Sequence, residues 1–228
     1  MRMQDMDSFC PMCGETLDSF GDHALTCMCG GDRTVRHNCL RNLVWEEATA
    51  PGLRAEREKQ GLLPKPPDEE GIKGCTGDRR PADVWLPHGP SRKSTALDFA
   101  VTCGMRHDSW QHAAQDPNII FEKYEAFKRE FRSTDETCTR QGFTFQPMII
   151  EAHGGSWSPA ARRVFDSIAQ HQTAAWNEGQ ESTSLKLAQR LSCSLQRENA
   201  RALLRRFVDM EPQAAVDAWE VEAEMRWE

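Results

Sequence analysis

The sequence predicts an α/β protein: a mixed sheet flanked by helices, with a small metal-folded segment at its N-terminus and a helical extension at its C-terminus. Three observations carry this. Cysteine and histidine crowd residues 10–29, short runs rich in Val, Phe and Thr stand between turn signals in the middle, and amphipathic stretches at helical spacing follow them. The resulting order is helix, strand, strand, strand, helix, strand, helix. A hairpin meander followed by a helical crossover builds a mixed sheet with helices against it.

The first helix is expected over 38–50, where Leu40, Leu43, Val44 and Ala48 share one face and Pro51-Gly52 stops it. A strand charged on one side is expected over 53–63. Residues 64–80 hold Lys-Pro-Pro, an acidic triplet and three glycines, the composition of a loop or insertion. Two strands, 82–86 and 95–103, are joined by the turn-rich segment 88–94 and predict a hairpin. Ile120, Tyr124, Phe127 and Phe131 then recur at helical spacing. That stripe predicts one helix running to about Cys138 or Arg140, and the single tyrosine, Tyr124, lies on it and reads as a core residue. A strand over 143–151 and the turn His153-Gly154-Gly155 follow. Ser158-Pro159 opens a helix reaching Trp176, with serine at the cap and proline in the first turn. One or two Leu- and Arg-rich helices are expected over 182–207. The expected divisions are 8–33 for the metal segment, 34–180 for the core, 181–208 for the helical extension and 209–228 for an acidic tail.

The chain has 228 residues, room for one ordinary domain plus an appendage, and a net charge of −7. Residues 207–228 hold seven acids and one base, which leaves the rest of the chain near −1. A body so close to neutral predicts modest non-specific affinity for DNA. No apolar run is long enough for a transmembrane helix. Residues 1–7 are polar and lack an apolar signal core, so a nuclear location is expected, with the cytoplasm as the alternative. Outside a secretory context, nine cysteines point to metal and buried thiols rather than to a disulfide framework.

Cys10-Pro-Met-Cys13 is a turn that aims two thiolates inward, and His23 and Cys27 follow as His-x3-Cys. Three thiolates and one imidazole close a tetrahedral shell around Zn2+ and leave no open position, the pattern of a structural site. A segment so short and polar folds on metal rather than on apolar burial. Cys29 competes with Cys27 as fourth ligand. Four unrelated loop residues, or a redox Cys-x2-Cys, are the other readings.

Asp83 and Asp98 lie inside adjacent strand-like runs. An acid in an apolar strand is costly unless it is paired or holds a metal. Two such acids suit Mg2+, whose remaining shell of water and phosphate oxygens serves phosphodiester hydrolysis. A lysine beside the ion would stabilise charge on the phosphate, and Lys128 and Lys123 both lie on the helix after the second strand. The competing reading pairs the acids with Arg79, Arg80 or Arg106 at strand edges, and leaves either lysine on a solvated helix face. Glu151 and His153 read as a strand end and a tight turn, with a metal role for Glu151 as the minor option. His37 reads as a helix-start or core histidine.

In order along the chain stand Cys-x2-Cys (Cys10, Cys13), Gly-Asp-His-Ala-Leu-x-Cys (Gly21 to Cys27), Gly-Gly-x-Arg (Gly30 to Arg33) and Arg-His-Asn (Arg36 to Asn38). Arg-Pro-Ala-Asp-Val (Arg80 to Val84), Leu-Asp-Phe-Ala-Val-Thr (Leu97 to Thr102) and Phe-x-Pro-x-x-x-Glu-x-x-Gly-Gly (Phe145 to Gly155) follow. This ordered set, from about residue 10 to about 206, resembles the C-terminal region of non-long-terminal-repeat retrotransposon proteins. There a zinc knuckle precedes a restriction-enzyme-like endonuclease of the PD-(D/E)xK fold. The resemblance implies that Cys27 rather than Cys29 completes the zinc shell. It implies that Asp83 and Asp98 are the two acids, although Ala82 separates Pro81 from Asp83. Ala100 stands where a textual motif has lysine, and the family places that lysine on the following helix, which points to Lys128 with Lys123 in reserve. The implied task is to nick target DNA so that reverse transcription starts from the new 3′ end. DNA, RNA and a reverse transcriptase encoded elsewhere are therefore the expected partners.

No Tyr-x-Asp-Asp polymerase motif is present, which implies a fragment, a relic or a free-standing nuclease piece. Two alternatives stand beside a Mg2+-dependent endonuclease. One is an inactive zinc-knuckle remnant that grips nucleic acid without cutting it. The other is a protein-interaction remnant that uses the acidic tail.

Overall fold

A computed structural model describes residues 7–64, 81–90, 92–105, 110–153, 155–176 and 180–206. The expected loop over 65–80 and the acidic tail lie outside these residues, as do Arg79, Arg80, Arg106 and Gly154. The chain divides into two compact units. One comprises 36–196. The other joins residues up to 35 to those from 197 onward. The division therefore differs from the expected one: the last turns of the helical extension belong with the N-terminal segment instead of forming a piece of their own.

The larger unit is an α/β layer structure. Strands β3 (Glu56–Arg57), β4 (Val84–Leu86), β5 (Thr95–Thr102) and β6 (Thr144–Glu151) form one sheet in that order. The first two pairings are antiparallel and the last is parallel. The parallel pairing needs a crossover, supplied by helices α3 (Trp110–Gln115), α4 (Asn118–Glu130) and α5 (Thr134–Arg140). On one face, Leu97 and Phe99 of β5 and Met148 and Ile150 of β6 join one buried cluster. It also takes Leu40 and Val44 of α2 (Asp32–Thr49), Val164 and Ile168 of α6 (Pro159–Trp176), and Leu187 and Leu191 of α7 (Gln180–Leu204). On the other face, Ala100 and Ile149 meet Ile120 and Phe121 of α4, while Ala96 and Phe145 meet Cys138 of α5. Burial on both faces explains why β5 and β6 read as continuous apolar runs.

Several elements depart from the sequence reading. Helix α2 begins at Asp32, not Asn38, so Arg36 and His37 are helical. Of the expected strand 53–63, Glu56 and Arg57 form a strand and Leu63 an isolated bridge; Arg54 and Glu58, on either side of the strand, take left-handed backbone conformations (φ 52° and 49°). Strand β4 starts at Val84, so Asp83 lies on its lead-in, yet its amide still bonds to the Leu97 carbonyl (2.8 Å). The single long helix expected to reach Cys138 breaks at a 3-10 turn, Phe131–Ser133. There Arg132 and Ser133 are left-handed (φ 52° and 50°), and the Phe131 carbonyl accepts both the Thr134 amide and the Thr134 hydroxyl (2.6 Å). Helix α3 was not anticipated. The predicted helix at Pro159 runs to Trp176 as expected, with Ser158 Oγ accepting the Ala161 amide (3.3 Å).

Trp157 anchors this core edge-on to Phe165 (4.9 Å) and Phe99 (6.3 Å), and its buried indole N–H meets no acceptor among the described residues. Trp157→Ala is therefore expected to cost about 3–5 kcal/mol. Trp157→Phe should cost far less, because losing an unsatisfied donor offsets the smaller ring. Chemical-denaturation midpoints of the two variants check this.

Candidate functional site

The smaller unit contains the cysteine–histidine segment. Strands β1 (Ser8–Phe9) and β2 (Thr16–Leu17) pair antiparallel, and helix α1 (Asp22–Thr26) follows. The turn between the strands is closed by Cys10 N–H to the Glu15 carbonyl and Gly14 N–H to the Cys10 carbonyl, both 2.8 Å. Gly14 has φ +78°, a conformation that side chains with a Cβ rarely adopt. The Asp18 carboxylate accepts the amides of Phe20 (3.0 Å), Asp22 (3.1 Å) and His23 (2.7 Å), which fixes the entry to α1 and hence the position of His23.

Ligand atoms of Cys10, Cys13, His23 and Cys27 all lie within 4.8 Å of one another. Cys10 and Cys27 sulfurs are 4.0 Å apart, Cys13 and Cys27 sulfurs 3.7 Å, and Cys13 Sγ lies 3.2 Å from His23 Nε2. A tetrahedron with zinc–sulfur bonds of ~2.3 Å has sulfur–sulfur edges of about 3.8 Å, so the donor set fits Zn2+. Cys29 is exposed and stands outside the cluster.

The thiols differ in acidity. Burial acts to raise Cys10, but the amides of Met12 and Cys13 outweigh it and lower its pKa to about 6. At Cys13 the Glu15 amide favours the thiolate, yet burial and the neighbouring Cys10 and Cys27 sulfurs raise it to about 11. Three thiols in one small space cannot all ionise without a cation among them. Arg206 lies against Cys27, where it would offset the net negative charge of three thiolates around a divalent ion.

Arg206 is itself buried and bonds Asp32 Oδ2 (2.8 Å) and the carbonyls of Ala202 (2.7 Å) and Cys29 (3.1 Å). Arg205 bonds Asp32 Oδ1 (2.6 Å). Burial opposes the Asp32 charge, but hydrogen bonds from Arg206 and Arg205 outweigh it and hold the carboxyl below its ordinary range. A depressed folded-state pKa contributes stability above the unfolded value and loses it as pH falls through the folded value. Asp32→Asn is expected to cost about 3–5 kcal/mol at neutral pH by stranding a buried guanidinium. The difference from wild type should shrink on acidification, as read from amide-exchange opening energies in 22–35.

The second constellation belongs to the larger unit. Asp98 sits in β5 on the face shared with Ala96 and Ala100, opposite Leu97 and Phe99. Its Oδ2 is 2.8 Å from Lys128 Nζ on α4. Asp83 Oδ2 accepts the Phe99 amide (2.6 Å), so the two carboxylates flank one peptide of β5. The same Asp83 oxygen is 3.0 Å from His37 Nε2, and His37 Nδ1 is 3.4 Å from Asn38 Oδ1. His37 thus joins the acids instead of serving only as a helix-start or core residue. Pattern reading missed it because the expected helix began one residue after it. Lys123 is exposed, and Glu151 and His153 lie at the strand end and turn, where Cys103 Sγ meets His153 Nε2 (3.3 Å). The three arginines offered as alternative partners lie outside the described residues.

The charges of this group are coupled. Burial, reinforced by the Asp83 charge, pushes Asp98 above the ordinary carboxylate range despite Lys128. The Asp83 hydrogen bond, against the opposing effect of burial, raises His37. Burial works against the Lys128 ammonium, but Asp98 holds its pKa above the usual lysine value. Asp98 and Lys128 open on a cleft of about 280 Å3, with Phe131, Arg132 and Phe145 also in its lining. A larger cleft of about 770 Å3 touches α6 and α7. Its acid, Asp166, is already bonded to Ser184 (2.8 Å), and no second acid lines it among the described residues.

No family model matches the chain, and no curated protein matches it.

Proposed function

We propose that the chain is a metal-dependent DNA endonuclease of the PD-(D/E)xK type, related to the nucleases of non-long-terminal-repeat retrotransposons and carrying a structural zinc knuckle. The observation that carries this reading is the Asp98–Lys128 contact at 2.8 Å, with Asp83, on the lead-in to the neighbouring strand, bonded to the Phe99 amide that follows Asp98. In support, Asp98 and Lys128 line one cleft although the lysine is remote in sequence from the acid, and Asp83 bonds the peptide that follows Asp98.

Asp83 and Asp98 would hold Mg2+, whose role when bound is to polarise the scissile phosphate and lower the pKa of a coordinated water. Two protein carboxylates leave most of the ion's shell to water and phosphate oxygens, as Mg2+ prefers. Lys128 places a positive charge beside Asp98, where it stabilises charge gathering on the phosphate. His37 holds Asp83 in position through Nε2, and Asn38 orients the ring. The knuckle would be folded by Zn2+ on Cys10, Cys13, His23 and Cys27, and would contribute to nucleic-acid positioning.

The test is incubation of the full chain with supercoiled plasmid and Mg2+. Conversion to the nicked circle supports the reading. DNA binding without nicking favours the alternative, an inactive remnant that only grips nucleic acid.

A further inference from the structure

The apolar stripe that runs along α4 to Phe131 goes into the core only at its start. Ile120 and Phe121 are buried, but Phe127 and Phe131 are 55% and 54% exposed. Tyr124 is half-buried between these extremes. The rings form a ladder, with Tyr124–Phe127 and Phe127–Phe131 centroids each 5.8 Å apart. Arg132 adds its guanidinium 5.5 Å from the Phe131 ring. Single exposed apolar residues are ordinary; a contiguous aromatic row at the mouth of a charged cleft is not.

The row is tied to the carboxylate site by helical geometry. Residues 124, 127, 128 and 131 lie at i, i+3, i+4 and i+7, so Lys128 shares a helix face with all three rings. Phe131 and Arg132 line the same cleft as Asp98 and Lys128. The left-handed pair Arg132 and Ser133 breaks the helix at this point, and non-glycine residues pay strain for that conformation. The break places Arg132 beside the Phe131 ring and on the cleft.

We propose that this ladder is a stacking platform for unpaired bases next to the scissile phosphate, so that the substrate class is DNA with a single-stranded segment at the cleavage site. This rests on the nuclease reading of the same cleft. Base faces in a duplex are covered by their neighbours, whereas an unpaired strand offers them to aromatic rings. Positive charge for the strand's backbone stands beside the rings, since Lys128 and Arg132 line the same cleft as Phe131.

The experiment uses the full chain with Ca2+ in place of Mg2+, so that binding is read without cleavage. Two labelled DNAs of the same sequence are compared: a complete duplex and one carrying a single-stranded flap. Wild type is expected to bind the flap DNA at least about tenfold more tightly. The double variants Phe127→Ala/Phe131→Ala and Phe127→Leu/Phe131→Leu should both lose about 10–100-fold on the flap and little on the duplex, with unchanged melting temperature. The leucine pair keeps apolar bulk and removes only the rings' stacking faces. Equal wild-type affinity for the two DNAs overturns the proposal, as does a flap preference that survives both double variants. A patch whose loss changes only the mass in sedimentation overturns it too, since that outcome identifies a protein contact. A flap preference that depends on the two rings in a chain that never nicks plasmid retains the platform and defeats only the nuclease reading.

Discussion

Asp98→Ala is expected to abolish Mg2+-dependent plasmid nicking, while Lys128→Gln lowers it by about 10²–10³-fold and Lys123→Gln leaves it at the wild-type level. The ordering follows from position. Asp98 is the half-buried acid shared by the β5 face and the cleft, and its Oδ2 meets Lys128 Nζ at 2.8 Å. On the proposed reading, removing it deletes a metal ligand, and it strands a half-buried ammonium. Lys128→Gln keeps a hydrogen-bond donor but loses the charge. Lys123, five residues earlier on the helix, is exposed and does not line the cleft. Rates of supercoil conversion for the three variants, each checked for an unchanged circular-dichroism spectrum, decide the matter. Wild-type rates in Asp98→Ala would exclude the assignment, and a loss in Lys123→Gln matching that in Lys128→Gln would remove the distinction between the lysines.

Zinc removal is expected to have the largest structural effect. Two two-residue strands and a five-residue helix bury little surface: the cluster around Cys10, Leu17, Ala24 and Cys27 is small. Apolar burial of that size does not balance the entropy of ordering the segment. Apparent zinc-binding free energies in comparable knuckles are about 10–16 kcal/mol, and that energy is the folding energy. Elemental analysis should find one zinc per chain. Cys13→Ser or Cys27→Ser should lose it, and Cys29→Ser should keep it. A high-affinity chelator should erase amide-exchange protection across 10–27. Zinc retention should fail on acidification, because the ligands must be deprotonated to bind. Full protection in the chelated chain would show that the segment folds on its contacts alone.

Local chemistry alone accounts for much of the fold. Ser158-Pro159 marks the start of a helix because a side-chain oxygen can satisfy an orphan amide and proline lacks one. The runs at 95–102 and 144–151 are strands because apolar β-formers bounded by turn residues suit a sheet buried on both faces. The clustering of Cys-x2-Cys with His-x3-Cys is legible because the spacing is imposed by tight turns within one short segment. In each case the partners are close in sequence, so pattern and structure coincide.

Tertiary structure decided the rest, and the reason is again range. His37 reaches Asp83 from forty-six residues away, and Lys128 reaches Asp98 across a crossover, so neither pairing has a local signature. The aromatic stripe of α4 illustrates the converse. Its 3.6-residue period is real, but periodicity reports only that residues share a face, not what covers that face. Sheet neighbours cover Ile120 and Phe121 and stop short of Phe127 and Phe131, so one stripe is core at its start and surface at its end. The helix break at Phe131 was likewise invisible. Hydroxyl groups of Thr134 and Thr137, each bonding a preceding carbonyl, compete with the helical ladder, and their effect depends on where the chain must turn to form β6.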